Sequence, residues 1–250
     1  MDIWQAVRET ITPEYLQHQL LRVVESQEQI ATNSLVDDLE KQAALEDMLE
    51  ASKPTIASGG ATLHYLLRTP FRYPPLPHGS RFAAKHEPSL YYGSWSEVTA
   101  FAETAYYRFL FWYGMSTAPP SKKLVSQHTI FSVQYKTKRG LKLQNSPFNQ
   151  YQALITDRLN YANTQNLGHA MREHGITAFE YLSARDSDHG INAALFHASA
   201  LASTEPNKQR QWICETSNDT VKFYSVADQA TYSYSLNTFL IEGELPGPAI

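Results

Sequence analysis

A chain of 250 residues, 42% hydrophobic and 12% aromatic, is long enough to bury one sizeable core. Its 21 Lys and Arg and 25 Asp and Glu are scattered, with a formal net charge of −4, which argues against a nucleic-acid binder that needs clustered cations. Cys214 is the only cysteine, which excludes an internal disulfide and a cysteine metal cluster and fits a reducing cytoplasm.

The start, MDIWQAVRET, lacks the continuous apolar run of a secretory signal, and the later run FLFWYGM is far too short to span a bilayer. Residues 12–52 read as two amphipathic helices. Thr12 caps the first with Pro13 at its first position, and Leu35, Val36, Leu39, Leu45, Met48 and Leu49 stripe the second. Pro54 and the SGG at 58–60 break this pattern, which predicts a helical N-terminal extension over residues 1–58 and a main body over 59–250, within a single domain. ATLHYLLR then reads as a strand leading into FRYPPLPHGSRF, and SLYYG as a second short strand. Ser94 in SWSE is expected to cap a helix, with Glu97 completing a capping box, that runs to about Tyr113.

After the loop APPSKK, FSVQYKT alternates and Arg139-Gly140 permits a turn into LKLQ, which predicts a hairpin. Residues 163–174 read as a helix ended by Gly175. AFEYLSARD, INAALFHAS, RQWICET and VKFYSVA supply further strands. The fold class expected is α+β with a mainly antiparallel sheet.

Three stretches carry candidate chemistry. The helix from Glu97 to Tyr113 holds only Glu103 and Arg108 as charges after its start, and Glu103 shares a face with Ala100, Tyr107 and Phe111. It is either a half-buried carboxylate bonded to a Tyr or Arg, or a carboxylate placed in a cleft for use. Arg72 and Arg81 flank a loop stiffened by Pro74, Pro75 and Pro77, and two such guanidiniums suit a phosphate or pyrophosphate. The plainer reading is a pair of surface arginines, one stacked on Tyr73 or Phe82. EYLSARDSDHGINAALF combines Ser183, Arg185, Asp186, Asp188, His189 and Asn192, but no GxSxG elbow surrounds Ser183, and DSDHG reads as a turn held by its own side chains rather than as a metal site. There is no HExxH, Walker loop or GxGxxG, and metal catalysis is not expected.

The order FRYPPLPHGSRF, SLYYGSWSEVTAFAE, EYLSARDSDHGINAALF resembles the RES domain family over roughly residues 62–200. The ESQEQIAT stretch resembles the extension of one RES subgroup. The resemblance implies a fold similar to ADP-ribosyltransferases in residues 59–250, and a cytoplasmic bacterial toxin that degrades NAD+ by phosphorolysis or hydrolysis, restrained by a cognate antitoxin. NAD+ is then substrate, inorganic phosphate is a co-substrate in the phosphorolytic case, and no other cofactor is implied.

Residue by residue, Glu103, Arg72 and Ser183 match the catalytic positions. Arg81, Tyr73, Asn192 and one of Tyr91 and Tyr92 match substrate-binding ones, and Arg68 competes with Arg72 for the first Arg. Ala83 and Ala84 stand after GSRF where Gly is common in the family. Breaking the nicotinamide–ribose bond develops positive charge on the sugar, which a carboxylate stabilises. On this reading Glu103 faces the cation, Arg72 and Arg81 hold the pyrophosphate or an attacking inorganic phosphate, Ser183 orients the nicotinamide amide or a phosphate oxygen, and a tyrosine stacks on the ring. Two rivals are a protein ADP-ribosyltransferase and a non-catalytic binding module. The N-terminal helices either cover the sheet or bind the antitoxin or a second copy of the chain.

Overall fold

The computed structural model describes residues 1–26, 38–54, 62–73, 76–117 and 119–247. Leu35 and Val36, the ESQEQIAT stretch beyond Ser26, the SGG at 58–60, and Pro74 and Pro75 lie outside the described residues.

In chain order the elements are α1 (Ile3–Val7), β1 (Glu14–Glu25), α2 (Leu39–Ser52), α3 (Tyr65–Arg72), β2 (Tyr91–Ser94), α4 (Glu97–Gly114) and β3 (Leu124–Lys142). A 3-10 turn at Phe148–Tyr151 leads into α5 (Gln152–Ile155) and α6 (Ala162–Glu173). Then come β4 (Ala178–Leu182), β5 (Ile191–Leu195), β6 (Lys208–Thr216), β7 (Thr220–Ser225) and β8 (Ala230–Ser235). The fold is mixed α and β around an 8-stranded sheet of order β1-β2-β5-β4-β3-β6-β7-β8, in which β3–β4 is parallel and the other pairs are antiparallel. β1 also pairs with β3, so β1, β2, β5, β4 and β3 close a ring, and the first half of β3 carries β6, β7 and β8 outward.

Several sequence expectations change here. Residues 14–25, expected as a helix, form β1, paired with β3 from Gln17 opposite Lys136 to Glu25 opposite His128. Leu16 and Leu20, 1% and 0% exposed, are four apart, a spacing that fits both a helical stripe and one face of a strand. Pairing with β3 decides between them, so residues 14–25 are part of the sheet, between the helices α1 and α2. The second helix exists as α2, but Met48 and Leu49 on it are exposed instead of packed.

ATLHYLLR is helical from Tyr65. His64 caps α3 by accepting from the Leu66 amide at 3.3 Å, and Leu66 and Leu67 are buried. A short apolar run carries no period of its own, and the surface it must cover sets its form. SWSE contains a second serine: Ser96 caps α4, accepting from the Thr99 amide at 3.2 Å, while Ser94 ends β2. The hairpin at Arg139-Gly140 is absent because β3 runs straight through it. Gly140 stands where a Cβ would overlap the Leu16 side chain, so the glycine marks a close strand crossing and not a turn. β8 was not singled out by the sequence.

α4 binds the sheet through a stripe at four-residue spacing. Phe101, Ala105 and Phe109 pack in one cluster with Ile130, Trp212, Val221 and Phe223, and the Phe101 and Phe223 rings stack at 4.6 Å. Glu97 in its first turn pairs with Arg210 of β6 and accepts from Tyr232 of β8. α4 is therefore fixed against β6, β7 and β8, with its Glu103 side left over β2 and β5.

Candidate functional site

In an antiparallel pair, residues directly opposite one another share a face. Ser94 of β2 lies opposite Asn192 of β5, which lies opposite Tyr181 of β4; Tyr92 lies opposite Ala194, which lies opposite Phe179. One face thus carries Tyr92, Ser94, Asn192 and Tyr181, and the other carries Tyr91, Gly93, Ala193 and Glu180.

Glu103 of α4 is half-buried against the first face. Its Oε1 accepts from Ser183 Oγ at 2.6 Å and from Asn192 Nδ2 at 2.8 Å. Ser94 Oγ donates to Asn192 Oδ1 at 2.6 Å, which turns the amide NH2 toward Glu103. One carboxylate oxygen is thereby held by two donors, one from β5 and one from the turn after β4.

The turn after β4 is built to hold Ser183. Ser183 Oγ accepts from the amides of Arg185 at 3.1 Å and Asp186 at 3.0 Å while donating to Glu103. Asp186, 5% exposed, accepts from Thr99 Oγ1 at 2.8 Å and from the amides of Asp188 and Gly190. A Cβ at Gly190 would overlap Thr99 Oγ1, so only glycine lets this turn meet α4. Thr99 is one helical turn before Glu103, and its bond to Asp186 sets the height of Glu103 over Ser183. DSDHG is thus a turn held by its side chains, as expected. His189 Nδ1 meets the Ser183 carbonyl at 3.1 Å and not its hydroxyl, so Ser183 has no histidine base. Among the described residues no group of three or more His, Cys, Asp or Glu is placed to hold a metal ion.

The carboxylate and two guanidiniums act on the same phenol, Tyr106. Arg81 lies over the Tyr161 ring at 4.4 Å and donates Nη1 to the carbonyls of Asp157 at 2.6 Å and Ile155 at 3.2 Å. Arg185, 3% exposed, lies 3.6 Å from the centroid of the Tyr106 ring and donates to Tyr161 Oη at 2.9 Å. Burial pushes the Tyr106 hydroxyl up to about 12, and Arg185 pulls the other way. Burial raises Tyr181 well above its ordinary value, with Glu103 adding to the rise and Arg81 opposing it. Both phenols stay neutral near pH 7. The arrangement is a positioned carboxylate beside cations and neutral phenols, suited to stabilising positive charge at one point and binding an anion next to it.

The family model of the RES domain matches residues 56–217, more than half of the chain. The chain belongs to the RES domain family. A comparison with curated protein sequences gave no significant match.

Of the residues singled out in the sequence, this RES domain joins Glu103, Ser183 and Asn192 directly, with Arg81 and Tyr92 beside them. Tyr92 shares the face of Asn192. Its hydroxyl meets Ser80 Oγ at 2.9 Å and accepts from the Phe82 amide at 3.3 Å, so it pins the GSRF loop that carries Arg81. Burial pushes that hydroxyl up to about 12. Tyr91 sits on the opposite face, 0% exposed, with Arg22 over its ring at 5.2 Å, which corrects any role for it beside Glu103.

Arg72 ends α3, and its Nε donates to the Pro54 carbonyl at 2.6 Å; Tyr73 follows, 39% exposed. Arg68 lies on the same helix. α3 packs Leu66 and Leu67 into the cluster that contains Tyr91, so Arg72 and Arg81 are held by different elements and not by one proline-stiffened loop. Sequence reasoning missed Ser94, Arg158 and Tyr161 as site residues and named Arg185 without giving it a role. Arg185 had a signal, two residues after Ser183 in LSARD. Arg158 and Tyr161 had none, because only the chain path after α5 brings them here.

Proposed function

We propose that this protein cleaves the bond between nicotinamide and ribose in NAD+, with inorganic phosphate or water as acceptor. The RES family is generally linked to NAD+-related toxin function and to antitoxin partners. The observation that carries the proposal is Glu103 Oε1, held by Ser183 and Asn192.

As the C–N bond breaks, its electron pair moves onto the pyridinium nitrogen and releases neutral nicotinamide, leaving an oxocarbenium-like ribose. Glu103 faces that cation, and its bonds keep one oxygen from swinging away at the moment of reaction. An oxygen of phosphate or water then bonds to the ribose carbon. With water, the extra proton leaves to solvent. Ser183 serves as a positioning residue: its proton goes to Glu103 and its lone pairs to two backbone amides. Arg81 binds phosphate oxygens. The fold is read as ADP-ribosyltransferase-like on the same grounds.

The test is incubation of purified protein with NAD+, with and without inorganic phosphate, with products identified by mass spectrometry. Nicotinamide with a phosphorylated ADP-ribose only when phosphate is present identifies a phosphorylase, and ADP-ribose in both identifies a glycohydrolase. Intact NAD+ with a folded, antitoxin-free sample overturns the proposal.

A further inference from the structure

Arg81 and Arg185 both reach Tyr161, and Arg158 lies next to them. Arg185 Nη2 reaches the Arg158 carbonyl at 3.3 Å as well as Tyr161 Oη, Arg158 Nη2 reaches the Thr238 carbonyl at 2.9 Å, and Arg81 lies over the Tyr161 ring. Among the described residues none of the three makes an ion pair with a carboxylate. Asp157, next to Arg158, uses Oδ1 on the amides of Leu159 and Asn160, and Asp186, next to Arg185, is taken up by Thr99 Oγ1 and the amides of Asp188 and Gly190.

Two donors are left over. Arg185 Nη1 and Arg158 Nε are buried and without a hydrogen-bond partner. Burial, and then the charge of Arg185, lower the Arg158 pKa, with Tyr106 opposing them. A buried guanidinium with an orphaned N–H is costly unless an anion joins it. The carbonyls of Ile155, Asp157, Arg158 and Thr238 and the rings of Tyr106 and Tyr161 hold the three cations in place, yet none of these groups carries a negative charge.

We infer that Arg158 and Arg185 complete, with Arg81, a subsite for a phosphoryl oxyanion beside Glu103, and that its occupant is the pyrophosphate of the dinucleotide. Three forked cations match two linked phosphates better than one ion. The dinucleotide as occupant rests on the proposed NAD+ cleavage; the oxyanion subsite itself does not. Free inorganic phosphate has the same chemistry, and the experiment separates the two.

The experiment is titration calorimetry on full-length Glu103→Gln protein, alone and combined with Arg158→Gln or Arg185→Lys, using ADP-ribose, inorganic phosphate and nicotinamide riboside, with melting curves confirming the fold. Each second substitution is expected to weaken ADP-ribose binding about tenfold or more, as for loss of a charged hydrogen bond, and to leave nicotinamide riboside within about twofold. Weakening confined to inorganic phosphate keeps the subsite and overturns the dinucleotide as its occupant. Unchanged ADP-ribose and phosphate affinity in folded Arg158→Gln overturns the subsite. If wild-type protein leaves NAD+ intact but binds ADP-ribose through Arg158, the cleavage proposal fails while the subsite stands.

Discussion

Ser183 Oγ donates to Glu103 Oε1 at 2.6 Å and at the same time accepts from the amides of Arg185 and Asp186. One hydroxyl thus joins α4 to the turn after β4, and the carboxylate inherits the rigidity of both. Replacing Glu103 by Gln keeps an oxygen that can accept from Ser183 and Asn192 while removing the charge that the proposed reaction sets against the ribose cation. NAD+ consumption by Glu103→Gln is expected to fall about 100-fold or more with an unchanged melting temperature, read from nicotinamide release and circular dichroism. Undiminished turnover would remove Glu103 from the mechanism.

Ser183 is 0% exposed, so Ser183→Ala orphans two buried amides and frees Glu103 to move. The expected cost is about 1–3 kcal/mol of stability from the unmade bonds, together with loss of turnover. A stable, fully active Ser183→Ala protein would show that the hydroxyl neither positions Glu103 nor supports the turn. Denaturant melts and the nicotinamide assay on one sample settle both.

Gly140 leaves room for the Leu16 side chain where β1 crosses β3. Gly140→Ala is expected to destabilise the protein by about 1–3 kcal/mol through overpacking. Adding Leu16→Ala should return part of that loss, because the second change vacates the space the first one fills. Strict additivity of the two losses in a double-mutant cycle would show that the contact is not the cause.

His128 of β3 is 2% exposed; its Nε2 meets Ser126 Oγ at 3.0 Å and its Nδ1 has no partner. Burial, and secondarily Arg108, lowers its pKa to about 4 from an ordinary 6.5. Between these values the unfolded chain binds the proton and the folded one does not. The stability contribution is therefore full above about pH 6.5 and is lost as pH falls to about 4, by roughly 3 kcal/mol in all. His128→Gln should flatten this part of a stability-against-pH curve; an equal slope in both proteins would assign it to other groups.

The residues gathered around Glu103 were more legible than the framework that holds them. Glu103 stood out as one carboxylate on an otherwise apolar and aromatic helix face, and Ser183, Asn192 and Arg81 came with their local motifs. α4, α6 and the late strands β4 to β7 were also readable, because each is long or alternates enough to declare a period. Among the described residues no helix is long and apolar enough to cross a membrane, in line with the short apolar runs of the sequence.

Tertiary structure decided what local pattern leaves open. Leu16 and Leu20 satisfy two periods at once, and only the long pairing with β3 makes β1 a strand. ATLHYLLR took its form from the face it covers, and Gly140 took its meaning from a side chain more than a hundred residues away. Sheet register placed Tyr92 beside Asn192 and Tyr91 behind it, since adjacent residues on a strand point to opposite faces. Arg158, Tyr161 and Arg185 entered the site for the same reason: side-chain identity is written in sequence, but which charges share a low-dielectric space depends on how distant segments cross.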